Sequence, residues 1–256
     1  MSTRALVTGA SSGIGETFAR RLAARGDDLV LVARREDRLR ALADDLASSG
    51  VDVEVLVADL TTEEGLTAVE HRLTSATEPV DLLVNNAGFG TSGPFAEMAL
   101  ERELKMVELN VVALVRLTRA ALDAMVERGA GEIVNVSSLA SFQALPRTAV
   151  YAATKAFVTS FTEALAEEGR GSGVRLQALC PGMTRTEFHA VGSWDVDWLP
   201  GIAWQSSEKV VDASLAALES GRVVVIPGVV NKLAATASWL LPRKLVTLLV
   251  GATVRR

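Results

Sequence analysis

The sequence predicts an α/β fold: a doubly wound, mainly parallel sheet of seven strands with helices on both faces. Short Val/Leu/Ile runs alternate with stretches of helical spacing along most of the chain, the order of successive βαβ units. The strand-like runs are apolar at consecutive positions and bounded by glycine, as strands buried on both faces must be. Size agrees: 256 residues, 49% of them apolar and 5% aromatic, suit one large domain filled by Val, Leu, Ile and Ala. We read 1–256 as a single domain, with right-handed crossovers placing helices on both faces of the sheet.

The elements follow in order. Ala5-Leu6-Val7 is the first strand, and a glycine-rich turn comes straight after it. Ile14, Phe18 and Leu22 mark a helix running to about Ala24, with Gly26 as its stop. Leu29 to Val32 is the second strand, and Arg35 to about Ser48 a charged helix closed by Ser49-Gly50. Val53 to Val57 is the third, followed by Asp59 and a helical stretch to about Ser75. Val80 to Val84 is the fourth, ending in Asn85-Asn86-Ala87-Gly88. One long helical region spans roughly Glu101 to Arg128 before a fifth strand, Glu132 to Val136. Tyr151 to Glu168 is helical, Val174 to Leu179 the sixth strand and Arg222 to Ile226 the seventh. No internal repeat or low-complexity linker interrupts this order.

Composition excludes several classes. With 26 Lys and Arg against 31 Asp and Glu, the net charge of −5 argues against a nucleic-acid partner. Cys180 is the only cysteine, so no intrachain disulfide forms and a reducing cytoplasm is expected. Met1-Ser2-Thr3-Arg4 leads into a strand without a signal-peptide core. No apolar run reaches the roughly 20 residues of a spanning helix. His71 and His189 stand alone, without a Cys/His cluster, so no metal site is expected. His189 reads as an exposed loop residue, and Cys180, before Pro181, as a buried structural thiol.

The turn Thr8-Gly9-Ala10-Ser11-Ser12-Gly13-Ile14-Gly15 brings free backbone N–H groups and a helix dipole to one place, a setting that favours a pyrophosphate. Gly9, Gly13 and Gly15 allow the sharp bend and the close approach of a ligand. Gly9-Ala10-Ser11-Ser12-Gly13 also matches the G-x-S-x-G elbow of serine hydrolases. No lysine follows Gly15, so a P-loop is disfavoured. The second strand ends in Ala33-Arg34-Arg35. A ribose 2′-hydroxyl asks for a carboxylate there, whereas guanidiniums suit a 2′-phosphate. Cations at a helix start need an anionic partner. The reading is therefore NADP(H) over NAD(H), with Arg34 as the main contact and Arg35 beside it.

Tyr151 and Lys155 stand four residues apart, on one face of a helix. An adjacent ammonium favours tyrosinate and is expected to lower the phenol pKa toward neutrality. Ser138, just after the fifth strand, is placed to hydrogen-bond a carbonyl oxygen. Y-x-x-x-K alone is a weak pattern, but Tyr151 is the chain's only tyrosine.

With these motifs in order from Thr8 to about Thr186, the chain resembles the compact short-chain dehydrogenase/reductase family, whose fold is Rossmann-like. The family's T-G-x-x-x-G-x-G turn matches Thr8 to Gly15, and its N-N-A-G matches Asn85 to Gly88. The resemblance implies a cofactor cleft lined by Gly9, Ser11, Ser12, Gly13, Ile14, Gly15, Asp59, Leu60, Asn86, Ala87 and Gly88. It assigns Asp59 to the adenine ring, Pro181-Gly182 to the nicotinamide turn, and Thr184 and Thr186 to the same side. It implies a catalytic set of Asn110, Ser138, Tyr151 and Lys155. Tyr151 would donate a proton to the developing alkoxide, while Lys155 would bind the nicotinamide ribose and tune the tyrosine. Ser138 would hold the substrate oxygen, and Asn110 would support a water-linked relay behind Lys155.

The resemblance makes about 187–205 the variable substrate loop. Its aromatic residues Phe188, Trp194, Trp198 and Trp204 either close over a small or medium, fairly apolar substrate or anchor the loop to the core, and Asp195 and Asp197 disfavour a strongly anionic headgroup. In the tail, about 229–256, Leu233, Ala237, Leu240 and Leu241 have helical spacing; Pro242 breaks the run and Leu245 to Val254 resumes it. Arg243, Lys244, Arg255 and Arg256 add charge. Packing on its own domain or a sister subunit, as a homodimer or homotetramer, is favoured over peripheral membrane contact. The expected function is an NADPH-dependent carbonyl reductase or alcohol dehydrogenase. A non-catalytic NADP(H) sensor is the alternative, disfavoured by the complete catalytic set; a hydrolase built on Ser11 is remoter still.

Overall fold

The computed structural model describes residues 3–188, 192, 201–241 and 244. Among them, seven strands form one wholly parallel sheet in the order β3-β2-β1-β4-β5-β6-β7. These are β1 (Arg4–Thr8), β2 (Asp28–Ala33), β3 (Val53–Val57), β4 (Leu82–Asn85), β5 (Gly131–Val136), β6 (Val174–Leu179) and β7 (Val224–Val225). The order reverses at the β1/β4 pair, so the loops leaving these two strands open a crevice at the carboxyl edge.

Alternate strand residues feed two cores. Ala5, Val7, Leu29, Leu31, Leu82 and Val84 face one side, against α1 (Gly13–Arg25), α2 (Glu36–Ala47) and α7 (Ser207–Glu219). Leu6, Val30, Val32, Leu83 and Ile133 face the other, against α3 (Glu63–Leu73) and α5 (Leu114–Arg128). This two-sided burial is why the strands read as continuous apolar runs. Fully burying a side chain such as Leu6 or Phe18 contributes roughly 1.5–3 kcal/mol.

Several element ends shift by a residue or two from the sequence reading, and three departures stand out. The fourth strand begins at Leu82 rather than Val80, and the seventh shortens to two residues because only Val224 and Val225 meet Ala178 and Leu179. The long helical region is not one α-helix. It consists of α4 (Leu100–Val107), a π-helical segment (Glu108–Ala113) and α5. Beyond it, α6 (Ala149–Glu168) lies along β6, and α8 (Val229–Leu240) ends the described chain apart from Leu241 and Lys244. His189, Trp194, Asp195, Asp197, Trp198, Pro242, Arg243 and 245–256 lie outside the described residues. Among those described, no helix is long and apolar enough to cross a membrane.

Candidate active site

The phosphate end is built where β1 and β4 stop. Thr8 Oγ1 donates to Val84 O (3.2 Å) and accepts from the N–H groups of Asn86 (2.9 Å) and Ala87 (3.0 Å). Asn86 Nδ2 in turn donates to Thr8 O at 2.9 Å. A side chain at Gly9, whose φ is 66°, would bring its Cβ to 2.8 Å from Asn86 Nδ2 and 3.0 Å from Ala87 Cα. Only glycine lets the two turns pass so closely. Ser12 caps α1 with its backbone, and its side chain makes no capping bond. The first N–H groups of the helix, together with two serine hydroxyls, therefore suit an anion.

Arginines lie at the end of β2. Arg35 donates from Nε to Ser11 Oγ and from an Nη to Ser11 O, both at 3.1 Å, and its other Nη reaches Glu187 Oε2 at 3.0 Å. Arg34 is largely exposed and stands 3.8 Å from Asp59. Burial alone would raise the Asp59 pKa. Two hydrogen bonds from Thr61 outweigh it, with help from Arg34 and Lys105, and hold the carboxyl below its usual value. Ser11 is thus engaged by a guanidinium rather than by a base, which leaves the hydrolase alternative without its activated nucleophile.

At the other end, α6 presents Tyr151 and Lys155 one turn apart, both buried. Lys155 Nζ donates to Val136 O at 2.8 Å and lies 5.9 Å from the Tyr151 ring centroid. Ser137 Oγ donates to Lys155 O at 2.8 Å, tying β5 to α6. Ser138 Oγ accepts from Ala140 N at 3.1 Å and is also hydrogen-bonded with Tyr151. The Phe188 ring covers the tyrosine at a centroid distance of 5.6 Å.

Here the expectation for the tyrosine needs correcting. Burial pushes its pKa up to about 12, with Ser138 pulling it partway back, and burial brings Lys155 down to about 8. Desolvation, which disfavours both charged forms, is the largest cause for each group. Burial likewise raises the Cys180 thiol to about 11, as expected of an unreactive structural cysteine.

Asn110 sits in the π-helical segment, almost fully buried. Its Nδ2 donates to Phe89 O (2.9 Å) and Thr154 Oγ1 (3.2 Å), and its Oδ1 accepts from Phe89 N (3.2 Å). A Cβ at Gly88 would stand 2.9 Å from Asn110 Oδ1 and 3.6 Å from Lys155 Nζ. Glycine there keeps the space between β4 and α6 open.

One cleft of about 1090 Å³ runs between the two ends. Gly9, Ser11, Ser12, Gly13, Ile14, Arg34, Arg35, Asp59, Leu60, Asn86, Ala87, Gly88, Ser138, Tyr151, Lys155, Pro181, Gly182, Thr184 and Thr186 all line it. Gly15 and Asn110 do not; they stand in its wall. Pro181 O accepts from Leu139 N at 2.8 Å, joining the β5 and β6 loops. Sequence reasoning missed Glu187, the α4 rim residues Glu101, Arg102 and Lys105, and Gln143, which accepts from Ser238 on α8. None lies in a local motif, so only the folded chain reveals them. The cleft is large beside the roughly 300–1,000 Å³ of ordinary small-ligand pockets. With anion donors and arginines at one end, its residues fit a phosphorylated dinucleotide.

A parallel sheet with a phosphate-type cleft leading to a buried Tyr/Lys/Ser set defines an oxidoreductase of the dinucleotide-dependent class. The model of the short chain dehydrogenase family matches residues 3–194, and this chain belongs to that family. Sulfoacetaldehyde reductase 2 of Chromohalobacter salexigens is 42% identical over 193 residues, 75% of this chain and 76% of its own. A short-chain dehydrogenase from Sphingobium yanoikuyae, solved in complex with NADPH, is 39% identical with a TM-score of 0.85, covering 99% of this chain and 96% of that one. A bulky-bulky ketone specific alcohol dehydrogenase from Comamonas testosteroni is 36% identical, with a TM-score of 0.80 and 93% of each chain covered.

Proposed function

We propose that this chain is an NADPH-dependent reductase that interconverts a carbonyl and an alcohol on a small or medium, fairly apolar substrate. The observation that carries the reading is one cleft with Arg34 and Arg35 at one end and Ser138, Tyr151 and Lys155 at the other. The NADPH held by the Sphingobium structure and the carbonyl substrates named for the other two relatives support it. Phe89, Leu139, Leu145, Met183 and Phe188 give the catalytic end its apolar lining.

Gly9 to Gly15 and Asn86 to Gly88 would hold the pyrophosphate side, Asp59 and Leu60 the adenine, Arg34 and Arg35 the 2′-phosphate, and Pro181 to Thr186 the nicotinamide side. When bound, the reduced nicotinamide supplies the hydride to the carbonyl carbon. Ser138 Oγ donates to the carbonyl oxygen and fixes its position beside the phenol. Tyr151, kept protonated by burial, gives its proton to that oxygen as negative charge develops. Lys155 holds the ribose hydroxyls with the donors not used on Val136 O. Asn110, through Phe89 and Thr154, supports the water-linked path that returns a proton behind Lys155. Oxidation of the alcohol runs through the same groups in reverse.

A cytoplasmic setting accords with the buried, unpaired Cys180, and assembly with further copies of the chain is part of the same proposal. The test is NADPH consumption, followed by absorbance, across a panel of ketones and aldehydes. Turnover with apolar ketones is the expected result. Tight NADPH binding without turnover of any member would replace the enzyme by a sensor, and binding of neither NADPH nor NADH would overturn the reading.

A further inference from the structure

Glu187 holds the guanidinium that a 2′-phosphate would need. Its carboxylate oxygens lie 3.0 Å from Arg35 and 3.8 Å from Arg38, although 152 residues separate it from Arg35 along the chain. Arg35 is oriented by its two bonds to Ser11 in the glycine turn, so the carboxylate stands at the phosphate end of the cleft. Its neighbours in sequence keep it there. Thr186 packs beside Gly13, its side chain 3.1 Å from where a Cβ would stand, and Phe188 lies on the Tyr151 ring. Three consecutive residues thus touch the glycine turn, the arginines and the proton donor.

A carboxylate and a phosphate compete for one planar fork of donors. We infer that Glu187 is a specificity-determining residue: a resident counter-ion on Arg35 and Arg38 that the 2′-phosphate displaces when NADPH binds. NADH, without that phosphate, leaves the ion pair in place. The inference rests on the NADPH reading above. It also assigns a sign that arginine counting alone misses. The same carboxylate that balances the arginines in the free protein opposes the dianion that replaces it, so the wild-type preference for NADPH is smaller than its arginines permit. Arg34, the other contact proposed for the phosphate, is paired at 3.8 Å with Asp59 rather than with Glu187, so Glu187 acts through Arg35 and Arg38.

Equilibrium binding of NADPH and NADH to wild type and Glu187→Gln tests this without relying on turnover. Glu187 and Arg35 are both near half exposed, and pairs of that kind are worth up to about 1 kcal/mol, so NADPH is expected to bind about threefold to fivefold tighter to the variant. NADH affinity is expected to stay the same within about twofold, and the gain for NADPH to shrink at high salt as the charges are screened. Weaker or unchanged NADPH binding in the variant, with wild type still preferring NADPH, overturns the inference. It would mean that Glu187 positions Arg35 for the phosphate or plays no part. Equal tightening of both cofactors overturns it too, as a general obstruction. A wild type that binds NADH as tightly as NADPH removes the cofactor reading itself, a separate failure visible before any variant is made. Glu187→Ala repeats the measurement should the glutamine hold Arg35 by hydrogen bonds alone.

Discussion

At the scale of single residues, burial shapes the Tyr151/Lys155 pair by disfavouring the charged form of each group. Tyr151, up at about 12, stays a phenol at every physiological pH, and Lys155, down at about 8, is held charged against desolvation. A phenol fixed in its protonated form suits the reductive direction. Alcohol oxidation, which needs the phenolate, is expected to keep rising with pH past about 9, and a plateau near neutral pH would contradict this. The lysine makes a stability prediction whose sign follows from its lowered pKa. Below about pH 8 both folded and unfolded chains carry the charge, and the full desolvation penalty stands. Between about 8 and the ordinary 10.5 the unfolded chain binds more protons, so stability rises with pH. Lys155→Met removes the penalty. Denaturant unfolding at pH 7 is expected to show the variant more stable by about 2–3 kcal/mol, after allowing for the lost bond to Val136 O, with the gain fading toward pH 10. A variant less stable at pH 7 would show that the hydrogen bond outweighs burial.

At the scale of elements, the π-helical segment is the feature that hydrophobic spacing could not show. A period near 3.6 persists from α4 through α5, and one inserted residue leaves too small a mark on that pattern. The insertion matters because π-bulges recur at functional sites, and here it carries Asn110 to Phe89 and Thr154. Deleting the exposed Val112 is expected to restore a regular helix. Circular dichroism should remain native-like while turnover falls by about a hundredfold or more, the scale of losing a positioned proton path. Full activity in the shortened chain would contradict the role given to the segment. The strand ends were also blurred in the sequence. Val80 is apolar and buried yet precedes β4, because burial by helices does not require a ladder partner. By contrast, Val53–Val57 and Val174–Leu179 were legible to the residue, since turn residues bound both runs and their apolar positions outnumber the polar ones.

At the scale of the whole molecule, the cleft was legible wherever its parts lie in short motifs. The glycine turn, Asn85 to Gly88 and the Tyr151/Lys155 spacing each place donors through local geometry. What was not legible depends on residues far apart in sequence. Glu187 on Arg35, Ser238 on Gln143 and the polar link from Asn85 through Asn135 to Thr162 exist only once the sheet has formed. The raised pKa of the tyrosine belongs with these: burial by the surrounding protein, which no local spacing shows, is its largest cause. The outer surface bears on assembly. Leu104, Val112 and Phe157 are exposed on α4, the π-helical segment and α6, and α4 and α6 pack together. A second copy of the chain would cover them, so sedimentation is expected to show a dimer or larger assembly that Phe157→Lys weakens; a monomer at micromolar concentration would contradict this.

The central claim is that one cleft holds the cofactor's phosphates at one end and brings its nicotinamide beside Tyr151 at the other, and Tyr151→Phe separates cofactor binding from proton transfer most directly. NADPH affinity and ketone turnover would be measured side by side on this variant and on wild type. The account predicts NADPH affinity within about twofold of wild type and turnover lower by about a hundredfold or more. Turnover that survives the loss of the phenol would contradict it, because the account gives that proton to Tyr151 and leaves Ser138 only to position the oxygen.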